Sequence, residues 1–295
     1  LQQVAGQRVN LRVGKGVDLP EEEQGMSFSH LFGATIVIYL FTSIAYIGYA
    51  ALRANPLGKG ASLLAYLGFL VQTAAIIWRT VSSYHLGMGH APFSNLYESM
   101  TFFSWCIVLV YLIFEGQVRK RIFGAFVMPL ALLTSAYAAL LDSGIEPLIP
   151  ALKSNWLLIH VSVSFLGYGA FALSCGISIM YLIRAKSEGA KGNANPGGII
   201  PDSRILDEYN YKAVAIGFPL LTLGILTGAV WAHYAWGSYW SWDPKETWSL
   251  IVWLIYAGFL HARIVGGWRG KRTAIISIIG FLGVIFLYLG VNLLL

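Results

Sequence analysis

The chain has 295 residues, 57% of them hydrophobic and only 12% charged, with a net charge of +6. A soluble globular domain carries about 25% charged residues, so this composition excludes one. No polar segment holds a basic stripe with interleaved aromatics, which excludes a nucleic-acid binder and leaves membrane topology as the source of the positive charge.

Residues 1–30 lack the apolar core of a cleavable signal, and Glu21, Glu22 and Glu23 mark them as a solvated tail. Eight uncharged runs then follow at 31–52, 61–78, 99–114, 122–141, 154–183, 213–231, 247–262 and 273–295. Each is close to the ~20 residues that a helix needs to cross a hydrocarbon core. None shows the alternation of a barrel strand, and lipid offers bare backbone no partners, so helices are required. The expectation is an all-α polytopic membrane protein with about eight transmembrane helices. Residues 31–295 form one integral domain behind the tail. The chain opens on Leu1 and closes inside an apolar run, so further residues are expected at both ends.

Eight spans divide the connecting segments into two sets. Segments 53–60, 115–121, 184–212 and 263–272 hold fourteen Lys and Arg residues, and the other set holds six: Arg8, Arg12, Lys15, Arg79, Lys153 and Lys245. Positive loops stay in the cytoplasm. Both termini and loops 79–95, 142–153 and 232–246 are therefore expected outside, and the Gly- and Pro-rich 184–212 is read as a cytoplasmic linker. Cys106 and Cys175 fall inside spans and read as inert core residues. The chain has no CxxC, no CxxCH and no Walker A pattern, so it is neither a thiol–disulfide carrier, a c-type cytochrome nor a nucleotide-binding ATPase subunit.

Two outward segments stand out. In 87–98, GMGHAPFSNLYE, Asn95 and Glu98 have the spacing of a capping box; in 231–248, WAHYAWGSYWSWDPKETW, Asp243, Pro244 and Glu246 fit N-cap, N1 and N3. Five of the ten tryptophans lie in that second segment: Trp231, Trp236, Trp240, Trp242 and Trp248. An aromatic belt at the headgroup level accounts for one or two per helix end. Five in eighteen residues suit a platform for a large planar ligand that is apolar in the middle and charged at its edge, such as a porphyrin. Gly237 and Ser238 would let backbone approach it.

His160 is placed about 8 Å inside the fifth span, and His261 about 26 Å along the seventh from Pro244. Each is either an iron ligand or a neutral histidine bonded to another helix. Two axial ligands of one heme iron share one depth, so if both bind heme they serve two sites, each with a second ligand from elsewhere. His90 lies in the polar outward loop, His233 at the interface, and His30 and His85 read as solvated.

The run 236–248, WGSYWSWDPKETW, resembles the tryptophan-rich WWD signature of heme-handling proteins in cytochrome c maturation, and its Asp-Pro-Lys-Glu form is similar to the CcsA/ResC branch of the System II synthase. GHAPFSNLYES at 89–99, the segment around His160 and LHARIVGGWRGKR at 260–272 extend the likeness over about 61–295. The resemblance implies a subunit of a cytochrome c synthase (heme lyase) complex in the bacterial cytoplasmic membrane. With a CcsB/ResB-like partner, it would deliver heme b and present it at the outer face for thioether attachment to CxxCH of apocytochrome c. It implies His160 as an outer iron ligand and His261 as an intramembrane one whose mate comes from the partner. The family's second outer histidine, after the last span, has no counterpart before Leu295. It further implies that Trp236, Gly237, Trp240, Trp242, Asp243 and His90 face the cofactor, although Asp243 suits a helix cap better than a catalytic acid. The other readings weighed are a b-type electron-transfer subunit, which needs histidines at matched depth, and a heme-free transporter or lipid-handling protein.

Overall fold

A computed structural model describes residues 21–86, 93, 95–145, 152–191 and 199–294. Its elements in order are α1 (Glu21–Leu52), α2 (Asn55–His85), α3 (Leu96–Val118), a 3₁₀ turn (Arg121–Phe123), α4 (Gly124–Ala138), α5 (Asn155–Lys191), α6 (Ser203–Trp236), α7 (Pro244–Ile264), α8 (Lys271–Ile285), a π turn (Phe286–Gly290) and α9 (Val291–Leu294). Among the described residues, eight helices are long and apolar enough to cross a membrane. The all-α architecture expected from the uncharged runs is the one observed.

Hydrophobicity does not sort the faces of these helices, because lipid tails are as apolar as leucine. On α1 the buried side is Phe32, Thr35, Tyr39, Thr42 and Tyr46, and the exposed side is Val37, Leu40, Phe41, Ile44 and Ile47. Aromatic and hydroxyl side chains turn inward, where they find partners. Tyr39 donates to Gln72 Oε1 at 2.6 Å, and Gln72 Nε2 donates to the Thr101 carbonyl at 2.9 Å, which links α1, α2 and α3. The buried Glu115 accepts from Tyr46 at 2.6 Å, from Ser62 at 2.5 Å and from Tyr111.

α5 is the most buried span and α7 the least. α5 packs on α3, α4, α6 and α8, so it joins the α1–α4 group to the α6–α8 group. Connections alternate between two ends of the bundle. One end holds the basic turns after α1, α3, α5 and α7, and there Asp207 ties the start of α6 to the α7–α8 turn. Its carboxylate accepts from Gly270 N at 2.7 Å, from Thr273 Oγ1 at 3.0 Å and from Arg263. The other end holds the tryptophan-rich loop between α6 and α7.

Several helix limits differ from the uncharged runs. α1 begins within the segment read as a tail, and α6 begins about ten residues before 213. The second run stops at Arg79, yet α2 continues to His85 with Arg79 buried inside it. The charge is tolerated because Arg79 Nε meets Glu98 Oε1 at 2.7 Å, and its Nη1 and Nη2 donate to the carbonyls of Ser143 and Gly144 at 2.8 and 2.9 Å. The guanidinium also lies 5.0 Å from the Phe28 ring and 5.2 Å from the Tyr97 ring. One cation thus fixes α1, the ends of α2 and α3, and the residues after α4.

Removing one member of a buried ion pair strands the other, at about 3–5 kcal/mol. Arg79→Met is expected to lower the unfolding midpoint of detergent-solubilised protein accordingly. The double variant with Glu98→Gln is expected to cost less than the sum of the two singles, as thermal unfolding of all four proteins will show.

Candidate functional site

The site begins where α5 and α6 meet. A Cβ added at Gly224 would strike Ser164 Oγ, and one added at Gly228 would lie 2.6 Å from Cε1 and Nδ1 of His160. Two residues without side chains therefore let the helices close together. The close approach brings His160 Nδ1 to 2.7 Å from the Gly224 carbonyl oxygen. A carbonyl can only accept, so Nδ1 carries the proton, and Nε2 is left as the nitrogen with a free lone pair. The indole of Trp231 lies nearly parallel to the imidazole, with centroids 6.4 Å apart and planes 10° apart.

Above this pair sits the α6–α7 loop. Gly237 ends α6 in the left-handed region, φ +79°, and its N–H donates to the His233 carbonyl at 2.9 Å. Asp243 starts α7: its Oδ1 accepts from Glu246 N at 2.8 Å, with Pro244 at the first helical turn. The Glu246 carboxylate turns back to accept from Ser241 N at 2.6 Å and Ser241 Oγ at 3.2 Å. Ser238 Oγ donates to the Trp240 carbonyl at 2.9 Å, and Thr247 Oγ1 to the Trp242 carbonyl at 3.2 Å. With this many internal bonds the loop is a shaped element. Asn95 caps α3 in the same way, accepting from Glu98 N at 2.9 Å. In both caps the glutamate differs from a reciprocal capping box: Glu98 pairs with Arg79, and Glu246 with Ser241.

Between the loop and the α5–α6 contact lies a cavity of about 550 Å³, within the ~300–1,000 Å³ typical of cofactor sites. His160, Trp231, Trp236, Tyr239, Trp240 and Asp243 all line it. Trp231 and Trp236 meet edge to face, with centroids 6.2 Å apart. The indole nitrogen of Trp240 is buried and has no hydrogen-bond partner among the described residues.

The remaining candidates lie elsewhere. Trp242 is 68% exposed and does not line the cavity, although its ring meets that of Trp240 at 5.6 Å and 88°. Its φ of +62° is in the left-handed region, a conformation that costs a residue other than glycine about 1–3 kcal/mol. Gly237 has open space around its missing side chain and does not line the cavity. Trp248 packs on Phe286 at 4.3 Å. His261 is exposed in the last turn of α7, far from the cavity, on a face shared with Leu254 and Gly258. His90 lies outside the described residues. Cys106 and Cys175 are buried and unpaired with each other.

The cavity also has walls that sequence reasoning missed: Ser99, Tyr168, Lys245, Tyr288 and Asn292. The last two come from the end of the eighth span, where a single uninterrupted helix was expected. The π turn at Phe286–Gly290 widens one turn and so changes which side chains face inward. Asn292 Nδ2 donates to the Tyr288 carbonyl at 2.5 Å. An asparagine in the middle of an apolar run was the available signal.

Residues 93–295 match the family model described as cytochrome C assembly protein. The chain is 40% identical over 287 residues to the cytochrome c biogenesis protein CcsA of Porphyra purpurea, which covers 84% of this chain and 90% of the relative. It is 39% identical over 300 residues to CcsA of Gloeobacter violaceus, covering 82% of this chain and 86% of the relative. A solved structure of the Cytochrome c Heme Lyase CcmF superposes with a TM-score of 0.65 at 15% identity, over 95% of this chain. That likeness is one of fold, and the chain spans 52% of that protein's length. Fold and sequence together define a multi-pass membrane protein of the cytochrome c assembly class. Within that class, the chain belongs to the CcsA family of cytochrome c biogenesis proteins.

A methyl at Gly228 would press on the His160 ring, whereas one at Gly60, within α2, meets open space. Gly228→Ala is expected to destabilise by about 1–3 kcal/mol through overpacking. Gly60→Ala is expected to leave stability unchanged or raise it by up to about 1 kcal/mol. Thermal midpoints of the two variants in one detergent will separate them.

Proposed function

We propose that the cavity receives heme as cargo and presents it for attachment to apocytochrome c, with His160 Nε2 as an iron ligand. The observation that carries this reading is the Nδ1–Gly224 bond. A carbonyl that accepts from the other ring nitrogen fixes the tautomer and orientation of a metal-binding imidazole, and here it lies on the wall of a cavity lined by three indoles.

The fit to a porphyrin rests on residues in place. Trp231, Trp236 and Trp240 offer apolar aromatic surface. The unpartnered Trp240 N–H and the Lys245 ammonium offer donors at the same cavity. Trp242 and Gly237 shape the loop from outside and do not line the cavity. Asp243 acts as the cap that sets the loop's angle onto α7. His90 belongs to the candidate set through its segment alone.

The chemistry the cargo supplies is addition of each CxxCH thiol S–H across a heme vinyl C=C, which forms one C–S and one C–H bond and releases nothing. The protein's residues bind, orient and exclude water around that addition. The excess of basic residues at the opposite end supports placing the loop end outside the bacterial cytoplasmic membrane. His261, exposed and distant from the cavity, is assigned to a second site completed by a CcsB/ResB-like partner chain.

The test compares heme content and the Soret band of wild type and His160→Ala, each purified with the partner protein. His160→Ala is expected to lose the share of bound heme that the cavity holds. Unchanged heme content and an unchanged band would refute the ligand assignment. His261→Ala is expected to change the band only in protein purified with the partner. For Asp243, the expected order of cytochrome c maturation is wild type equal to Asp243→Asn, which keeps a capping oxygen, and both above Asp243→Ala, which loses about 1 kcal/mol of cap. Loss in Asp243→Asn as well would show that the charge itself is needed.

A further inference from the structure

We infer that Trp240 and Lys245 form a carboxylate-binding subsite on the wall of the cavity, which holds an acidic edge of the macrocycle; this rests on the reading of the cavity as a heme site.

Three observations carry it. First, Trp240 Nε1 is fully buried and has no partner among the described residues. Buried N–H groups are nearly always met, and one left over at a cavity wall calls for an acceptor from the occupant. Tryptophan has a donor and no acceptor at that atom, so the occupant must bring a lone pair. Second, Lys245 lines the same cavity. None of the ion pairs found among the described residues includes it. Third, the two carboxylates that flank Lys245 each accept from the loop's own donors. Asp243 accepts from Glu246 N, and Glu246 accepts from both Ser241 N and Ser241 Oγ. Both acids also line the cavity, each holding the loop through one oxygen, whereas the Trp240 N–H and the Lys245 ammonium take part in none of these bonds.

The two donors lie on opposite sides of the Asp243 cap, with Trp240 in the loop and Lys245 in the first turn of α7. The rigid entry into α7 fixes their relation to each other. One N–H and one ammonium at a cavity wall suit a carboxylate, which accepts at both oxygens. A neutral carbonyl would satisfy the indole and leave the ammonium unmatched. The ligand class is therefore a planar, largely apolar molecule with a carboxylate on its rim. Lys245 is exposed, so its share is partly screened by water and salt, while the buried indole N–H is not.

The test uses the full-length protein in detergent with two metal-free probes, protoporphyrin and its dimethyl ester. The ester keeps its carbonyl oxygens and loses the charge. Wild type is expected to bind the free acid about tenfold more tightly than the ester, the scale of one charge-assisted hydrogen bond. Lys245→Met is expected to reduce that preference while binding the ester as wild type does, and Trp240→Phe, which deletes only the donor and keeps an aromatic face, is expected to weaken both probes, the free acid by more because its oxygen carries charge. Ester affinity doubles as the check that Lys245→Met is folded, and the thermal midpoint is that check for Trp240→Phe. Equal wild-type affinity for acid and ester overturns the subsite and leaves the porphyrin reading standing. Equal fold-loss of acid and ester in Lys245→Met, or in Trp240→Phe, also overturns it, because that is the signature of damaged packing. Failure of wild type to bind either probe overturns the subsite, while heme content in wild type and His160→Ala decides the porphyrin reading separately, because these probes carry no iron for His160.

Discussion

The close approach of α5 and α6 at Gly224 and Gly228 governs the rest of the site. With any side chain at either position the helices would stand further apart, and the Gly224 carbonyl would lie beyond hydrogen-bonding reach of His160. The contact settles three things together: the ring's place on the cavity wall, its tautomer and the nitrogen left to bind. It also brings Trp231 parallel to the imidazole, so the first of the indoles is positioned by the same contact that orients the histidine.

Acidic residues near the cavity act as structural groups. Asp243 and Glu246 hold the α6–α7 loop to the start of α7, and Glu98 neutralises Arg79 beneath the start of α3. Each negative charge is met by a local donor, which is the condition for keeping carboxylates close to a bilayer. What else faces the cavity is aromatic surface, one histidine, the Lys245 ammonium and the unpartnered Trp240 N–H.

Two departures from regular geometry sit beside this cavity. Trp242 adopts a left-handed backbone one residue before the α7 cap, and the eighth span opens into a π turn that brings Tyr288 and Asn292 to the cavity wall. Both interrupt elements that would otherwise run on smoothly. Such irregular backbone is tolerated at membrane depth where it lines a cavity or is buried in protein. Their place next to the His160 wall accords with a site built for one shape.

Eight helices were legible in the sequence, because the bilayer dictates how long an uncharged run must be and permits no other backbone. So was the α7 start, because Asp243, Pro244 and Glu246 act through local bonds. The concentration of tryptophans singled out 231–248, and three of its five indoles line the cavity. What the sequence could not settle was anything that depends on one helix meeting another. Arg79 read as the end of a span, because the carboxylate that neutralises it lies on a different helix. Trp242 read like Trp240, because ring type does not reveal which side of a turn a ring occupies. The far wall of the cavity, with Tyr168, Tyr288 and Asn292, was invisible because their shared direction is created by packing and by one extra residue in a turn. Sequence determined the spans and the loop, which follow from local physics. Only the tertiary structure decided which residues share the cavity, since that rests on how closely two glycine-bearing faces allow their helices to come.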